Sequence, residues 1–312
     1  MTISESYDFN FDRDAIIGEA YQVIGATALG EDPTADELTS GGKMLNLMLK
    51  GWQTERIALW LQQKVTLFLS KDTQAYSLGP TGSHVTPTSQ AVKTEAKVAA
   101  IATDSTIDVD SITGISDTDT IGVELDDGTI QWTTVNGAPS GDTVTLTDAL
   151  TDGVAIDNHV YVYSDKIQRP MDVLEGRRID ADGNSIPLLQ VSRQEYLALP
   201  TKNSSGVPSQ YYYDPQLTNG ALYIWPTCSD VQTTLELTIK KPISDFDAST
   251  DTGEFPVEWL DMIVNNLAVR IGIKLRLSPS KELKELADKG KFMAQTFDAE
   301  MTSTFFQPQG GG

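Results

Sequence analysis

Leu189-Gln190-Val191-Ser192-Arg193-Gln194-Glu195-Tyr196-Leu197-Ala198-Leu199-Pro200, with Tyr211-Tyr212-Tyr213-Asp214-Pro215 and Asn219-Gly220-Ala221-Leu222-Tyr223-Ile224-Trp225-Pro226 after it, decides how the chain is read. Ser192 is placed to cap a short helix through Leu199, with Glu195 three residues on as the reciprocal partner of a capping box. Pro200 stops that helix, because proline lacks the N–H and its ring clashes with the preceding turn. Residues 202–210 form a polar Ser/Gly/Pro loop, after which the three tyrosines start a strand. Asp214-Pro215 and Asn219-Gly220 are turn chemistry that returns the chain into a second strand from Ala221. A helical turn leading into a tyrosine-rich hairpin is scaffold. It supplies no nucleophile, no base and no phosphate cradle.

Toward the N-terminus, Ile17, Ala20, Tyr21, Ile24 and Ala28 make a helical stripe that Gly30 ends. Pro33-Thr34 with Glu37 reads as a second helix start with its own capping box, and Leu38, Leu45, Met48, Leu49 and Trp52 as its apolar face. Gly41-Gly42 weakens that helix locally. Residues 64–69 alternate as a strand, Val65, Leu67 and Leu69 against Thr66 and Phe68. Toward the C-terminus, Leu235, Leu237 and Ile239 alternate with Thr234, Glu236 and Thr238 as another strand. Pro256 opens a long helix whose face is Leu260, Ile263, Val264, Leu267, Ala268, Ile271 and Leu275. Pro279 opens a last helix, and residues 303–312 are expected to form a flexible tail.

The composition changes near residue 90. From there to residue 165 the chain is short β-branched runs broken by turn signals, with Asp126-Asp127-Gly128 between two of them as a hairpin. Asn136-Gly137, Ser140-Gly141 and Asp152-Gly153 mark further turns at the spacing of a small sandwich or barrel. This segment holds fourteen carboxylates against Lys93 and Lys97, a net of −12 out of −21 for the whole chain of 312 residues. It reads as an inserted, acidic, all-β domain (90–165) within a discontinuous remainder made of residues 1–89 and 166–312.

The strong negative charge argues against a phosphate-wrapping nucleic-acid binder, since such affinity comes from Lys and Arg. A single cysteine, Cys228, excludes an internal disulfide framework and fits a reducing compartment. Residues 1–11 lack a basic region and an apolar core, so no signal peptide is expected, and no run of 18 apolar residues spans a membrane. His84 and His159 are too few for a histidine metal site and have no partner pattern for nucleophilic catalysis. No glycine-rich loop followed by Lys-Ser or Lys-Thr appears. Asp180, Asp182, Gly183 and Asn184 resemble part of a calcium loop but lack the closing glutamate of an EF-hand, and a turn between strands accounts for them. A carboxylic acid in an apolar pocket would be needed for glycoside hydrolysis. Glu195 and Glu258, beside Tyr196 and Trp259, are the candidates, and helix-start electrostatics accounts for both. No catalytic residue, cofactor or metal is assigned.

Six short elements occur in one order: Ala20-Tyr21 with Ile24-Gly25; Asn46, Met48-Leu49 and Trp52; Ser192 to Leu197; Tyr212-Tyr213-Asp214-Pro215-Gln216-Leu217 with Leu222-Tyr223-Ile224-Trp225-Pro226; Lys241-Pro242-Ile243 with Asp245-Phe246; and Phe255-Pro256 with Glu258-Trp259, followed by Asn266-Leu267-Ala268-Val269-Arg270. In this order the chain resembles the head-to-tail adaptor family of tailed bacteriophages, also called tail accessory factors or packaged-DNA stabilisation proteins.

The resemblance implies an α+β fold, a mostly helical adaptor core with a small β layer, to which the acidic all-β sandwich or barrel is added. That insert departs from the pattern of many relatives. The resemblance also implies a non-enzymatic virion protein of the neck or tail, assembled in the host cytoplasm. Its partners would be the portal protein, a downstream nozzle or hub protein, and identical subunits in a ring of roughly twelve. Packaged double-stranded DNA would pass through the lumen without sequence-specific binding. Portal contact is expected at Phe297, Met301, Phe305 and Phe306, toward the C-terminus of the chain. The competing expectations are a tail or capsid decoration protein with a glycan-binding β domain, and a cell-wall hydrolase.

Overall fold

A computed structural model describes residues 9–53 and 61–297. Contacts divide the chain into two units, Met1–Leu61 with Ile243–Gly312, and Gln62–Pro242. The described part of the first unit is helical: α1 (Arg13–Val23), α2 (Ala35–Trp52), α4 (Leu260–Lys274) and α5 (Lys281–Phe297). Asp12 caps α1 by accepting from the Ala15 N–H. Thr34 and Glu37 form the capping box of α2 in both directions, so its first-turn donors are satisfied. The glycines within α2 have a packing reason. A Cβ on Gly41 would lie 2.5 Å from Ile17 Cγ2, so glycine lets α1 and α2 approach closely at a modest cost in helix propensity. Ile17, Tyr21, Leu45, Met48, Trp259 and Leu267 are among the buried residues of one core formed by this unit's described residues.

The second unit is built of strands, apart from the short helix α3 (Arg193–Ala198) and a 3-10 turn at Thr88–Gln90. One sheet takes the order β11-β10-β17-β1-β3: Ser185–Pro187, Asp172–Ile179, Thr234–Lys240, Gln62–Phe68 and Val85–Pro87. A second takes the order β12-β14-β15-β2: Leu189–Gln190, Gln210–Asp214, Gly220–Trp225 and Ala75–Leu78. A two-stranded pair, β13 (Ser205–Gly206) and β16 (Thr227–Cys228), stands beside them. The alternation does its work here: Val65, Leu67, Leu235 and Leu237 from the first sheet share one core with Tyr211, Tyr213, Leu222 and Ile224 from the second.

Residues 92–163 carry a core of their own. The sheet β4-β9-β6-β7 (Val92–Glu95, His159–Tyr163, Thr120–Glu124, Ile130–Thr134) and the pair β5-β8 (Thr106–Asp108, Thr143–Thr145) enclose Ile107, Ile121, Val123, Val144, Val160 and Val162, among others. The opposite face of β9 contributes Tyr161 and Tyr163, which cluster with Phe68 on the outer face of β1.

The expectation of a mostly helical core with a small β layer is corrected. Among the described residues there are 17 strands in five sheets against five helices, and strand exceeds helix, 30% to 26%. The strands that composition hid lie mainly at residues 172–190. In β10, Asp172-Val173-Leu174-Glu175-Gly176-Arg177-Arg178-Ile179, the pairing register shifts between Val173 and Glu175. A bulge adds one residue to one strand, so the period-2 signal is broken and an exposed leucine sits beside a buried valine. The short β2, β3, β11 and β12 run two to four residues each, too few to show any period.

Candidate functional site

In the helical unit, the side chain of Asn46 on α2 clamps a backbone segment 200 residues away. Its Oδ1 accepts from the Phe246 N–H at 3.0 Å, and its Nδ2 donates to the Phe246 carbonyl at 3.2 Å. One helical turn on, Lys50 Nζ donates to the Ile243 carbonyl at 2.6 Å and pairs with Asp245 at 2.9 Å. Arg13 of α1 holds the same loop by donating to the Asp247 carbonyl at 2.8 Å. An amide that meets both the donor and the acceptor of one residue fixes chain direction as well as position. The loop before α4 is therefore pinned by three helical side chains.

Helices α4 and α5 form an antiparallel hairpin, with Asn266 Nδ2 donating to the Ala287 carbonyl at 3.1 Å. At the open end of this hairpin lies a groove of about 270 Å³ lined by Glu258, Trp259, Asp261, Met262, Met293 and Ala294. Its walls are apolar and its lip carries two carboxylates, of which Asp261 accepts from Asn265 at 3.0 Å.

In the β unit, the capping box read at Ser192 and Glu195 forms in both directions. Tyr196 on α3 stacks against the cross-strand pair Tyr212 and Tyr223, with ring centroids 6.0, 5.3 and 5.9 Å apart. Gln74 donates to the Tyr196 hydroxyl at 2.5 Å, and the Lys202 amine stands 5.9 Å over the same ring. Offset aromatic stacking of this kind ties a helix of six residues, too short to be stable alone, to the outer face of the sheet.

The two histidines sit apart from one another and each has its own partners. His84 lies flat on Trp132, 3.7 Å between centroids and 4° between planes, with Nδ1 2.7 Å from the Tyr163 hydroxyl. Burial, and secondarily the Lys166 ammonium, pushes its pKa down to about 4. His159 is buried with Nδ1 3.1 Å from Glu124 Oε2, and the same oxygen accepts from the His159 N–H at 2.9 Å. Burial alone would raise the Glu124 carboxyl. Hydrogen bonds from His159 and Gln232 outweigh it and hold the group below the usual range. Nothing in the sequence pointed to either arrangement, because Trp132, Tyr163 and Glu124 lie 35 to 79 residues from their histidines.

Of the carboxylates weighed for hydrolysis, Glu195 is exposed and is held low by the Ser192 hydrogen bonds, the reverse of what a general acid needs. Glu258 is exposed on the lip of the groove. Asp180 accepts from the Asn184 N–H at 2.8 Å and its side-chain amide at 3.1 Å, closing the β10–β11 turn. Cys228 is buried, and burial pushes its thiol up. Among the described residues there is no cluster of three or more His, Cys, Asp or Glu suited to a metal ion. Nor is any described helix long and apolar enough to cross a membrane. Met301, Phe305 and Phe306 lie outside the described residues. Phe297 closes α5, and its side chain is likewise outside them. Comparison of the sequence with known protein families and with curated proteins gives no match.

Proposed function

We propose that this chain is a structural virion protein that forms a ring between portal and tail. In that role it extends the DNA channel, retains packaged DNA and presents a surface to the next tail component. The observation that carries the reading is where the family-like elements fall. Four of them, spread from residue 20 to residue 270, contribute Tyr21, Met48, Trp52, Phe246, Trp259 and Leu267 to one buried core. Asn46 and Phe246, from two different elements, bond to each other directly. The other two elements meet in the tyrosine stack of α3 and its hairpin. Residues that resemble one family in order, and that also touch one another in the fold, support a shared scaffold better than either fact alone.

The mechanism in this reading is mechanical. Amphipathic helices of neighbouring subunits pack side to side in heterologous contacts that close by rotation. An acidic lumen repels phosphates and lets DNA slide, where a basic one would bind and stall it. The chain is expected to be monomeric alone, because copies carrying −21 repel each other, and to oligomerise on portal rings. Native mass measurement of the full chain with and without portal rings tests this. A portal-dependent closed assembly supports the reading. A mass unchanged by portal overturns it in favour of a decoration protein.

A further inference from the structure

The α4–α5 hairpin carries opposite surfaces at its two ends. Its closed end is the turn after α4, where Ile273, Leu275 and Leu277 are 66%, 41% and 39% exposed. Arg270, Lys274, Arg276, Lys281 and Lys284 belong to the same stretch, against the two carboxylates Glu282 and Glu285, the second of which pairs with Lys281 at 3.4 Å, so the end is still basic on balance. This is a basic apolar knob in a chain of net charge −21. Its open end is the acidic apolar groove of Glu258, Trp259, Asp261, Met262 and Met293.

The knob is rigid. The Leu277 N–H reaches the Gly272 carbonyl at 2.9 Å and the Arg276 N–H reaches the Ile273 carbonyl at 3.2 Å, the two bonds of a Schellman motif. The residue in the left-handed position of that motif is Arg276, at φ 59°. Glycine or asparagine suits this position, and an arginine there is strained, because its Cβ crowds the following carbonyl oxygen. The fold gives it no return: among the described residues the Arg276 guanidinium makes no hydrogen bond or ion pair, and neither does the Glu258 carboxylate at the opposite end. Backbone strain at an exposed cation, on a turn that three half-exposed aliphatics also share, is a mark of a contact surface.

We infer that the knob of one copy seats in the groove of the next, a head-to-tail contact between hairpin ends. The occupant is a second copy of this chain because convex, apolar and basic meets concave, apolar and acidic within one sequence. The two surfaces lie at opposite ends of a helix of about 22 Å. They therefore cannot satisfy each other within one chain, and the contact is heterologous, as a ring requires. This inference rests on the adaptor reading for its purpose and not for its geometry.

Cysteine cross-linking tests it in the full chain. Ile273→Cys and Met293→Cys are exposed single changes, and the native Cys228 is buried. With a short bifunctional reagent at high protein concentration, each variant alone should stay uncross-linked. Their equal mixture should give a dimer, and the double variant a ladder. Glu258→Lys with Asp261→Lys should abolish the ladder, and mixing with Arg270→Glu and Arg276→Glu should restore a dimer. Circular dichroism confirms that each variant is folded. No mixed dimer, or like-with-like dimers of equal yield, overturns the contact. A ladder from a chain that ignores portal rings would keep the contact and discard the adaptor role; portal-driven rings without the mixed dimer would do the reverse.

Discussion

His84 makes the stability of the β unit depend on pH from about 6.5 downward, beginning above the range where most carboxylates titrate. Its pKa falls from the ordinary 6.5 to about 4 in the fold, so the unfolded chain binds the proton more tightly. Stability from this group is therefore full above pH 6.5 and is lost as pH falls toward 4. The full difference of 2.5 pH units corresponds to about 3 kcal/mol, of which about 2 kcal/mol is lost by pH 5. The ring is half-buried, so solvent screening brings the expected loss between pH 7 and pH 5 to roughly 1–2 kcal/mol. For a unit of this size that lowers the melting temperature by roughly 2–8 °C. The control is His84→Phe, which keeps a flat ring against Trp132 and cannot titrate. At pH 7 it should be less stable than the parent by about 1 kcal/mol, for the lost bond to Tyr163. Urea unfolding of both proteins at pH 7, 6 and 5 reads the gap, and titrations common to both cancel in the difference. The gap should shrink or invert by pH 5. A gap that stays constant would refute the argument that desolvation against Trp132 depresses this histidine.

Two further substitutions check the packing argument. Asn46→Ala removes both bonds to Phe246 and should destabilise the helical unit by about 2 kcal/mol, seen as an earlier transition of helical circular dichroism. Gly122→Ala places a Cβ 2.6 Å from the Trp132 ring. That overpacking should cost about 1–3 kcal/mol and displace Trp132 from His84, so near-ultraviolet circular dichroism should lose aromatic signal before thermal unfolding begins.

The elements most legible in the sequence were those with a chemical signature at their ends. The Thr34–Glu37 and Ser192–Glu195 boxes and the Asn219-Gly220 turn sit where capping and turn chemistry place them. The alternation at 64–69 correctly separated Val65, Leu67 and Leu69 from Phe68, which faces a different cluster. What sequence could not show was how much strand lay between these markers. A bulged strand and several of two to four residues carry no period, so the helices, with their long stripes, weighed too heavily. The Asn46 clamp, the His84 stack and the His159–Glu124 pair depend on contacts across 35 to 200 residues, which no local pattern encodes. Arg276 is the opposite case. It sits at φ 59°, in a turn whose geometry usually selects glycine, and no residue signal at that position announces the turn.

The distribution of charge gives the proposed assembly its control. Heterologous ends that fit each other would grow into filaments wherever copies meet, because nothing in a single contact enforces closure. More than half of the net charge stands on residues 90–165, and such bulk charge acts at separations up to a Debye length of about 8 Å in physiological salt. The complementary pairs of the hairpin ends act only at contact. Approach between free copies is thus opposed before the attraction begins, and the encounter stays weak. In the proposed assembly, a portal ring that holds subunits side by side would supply the work of approach and leave the contact term uncompensated. The net charge of the chain thereby confines the proposed head-to-tail contact to the template where a closed ring can form.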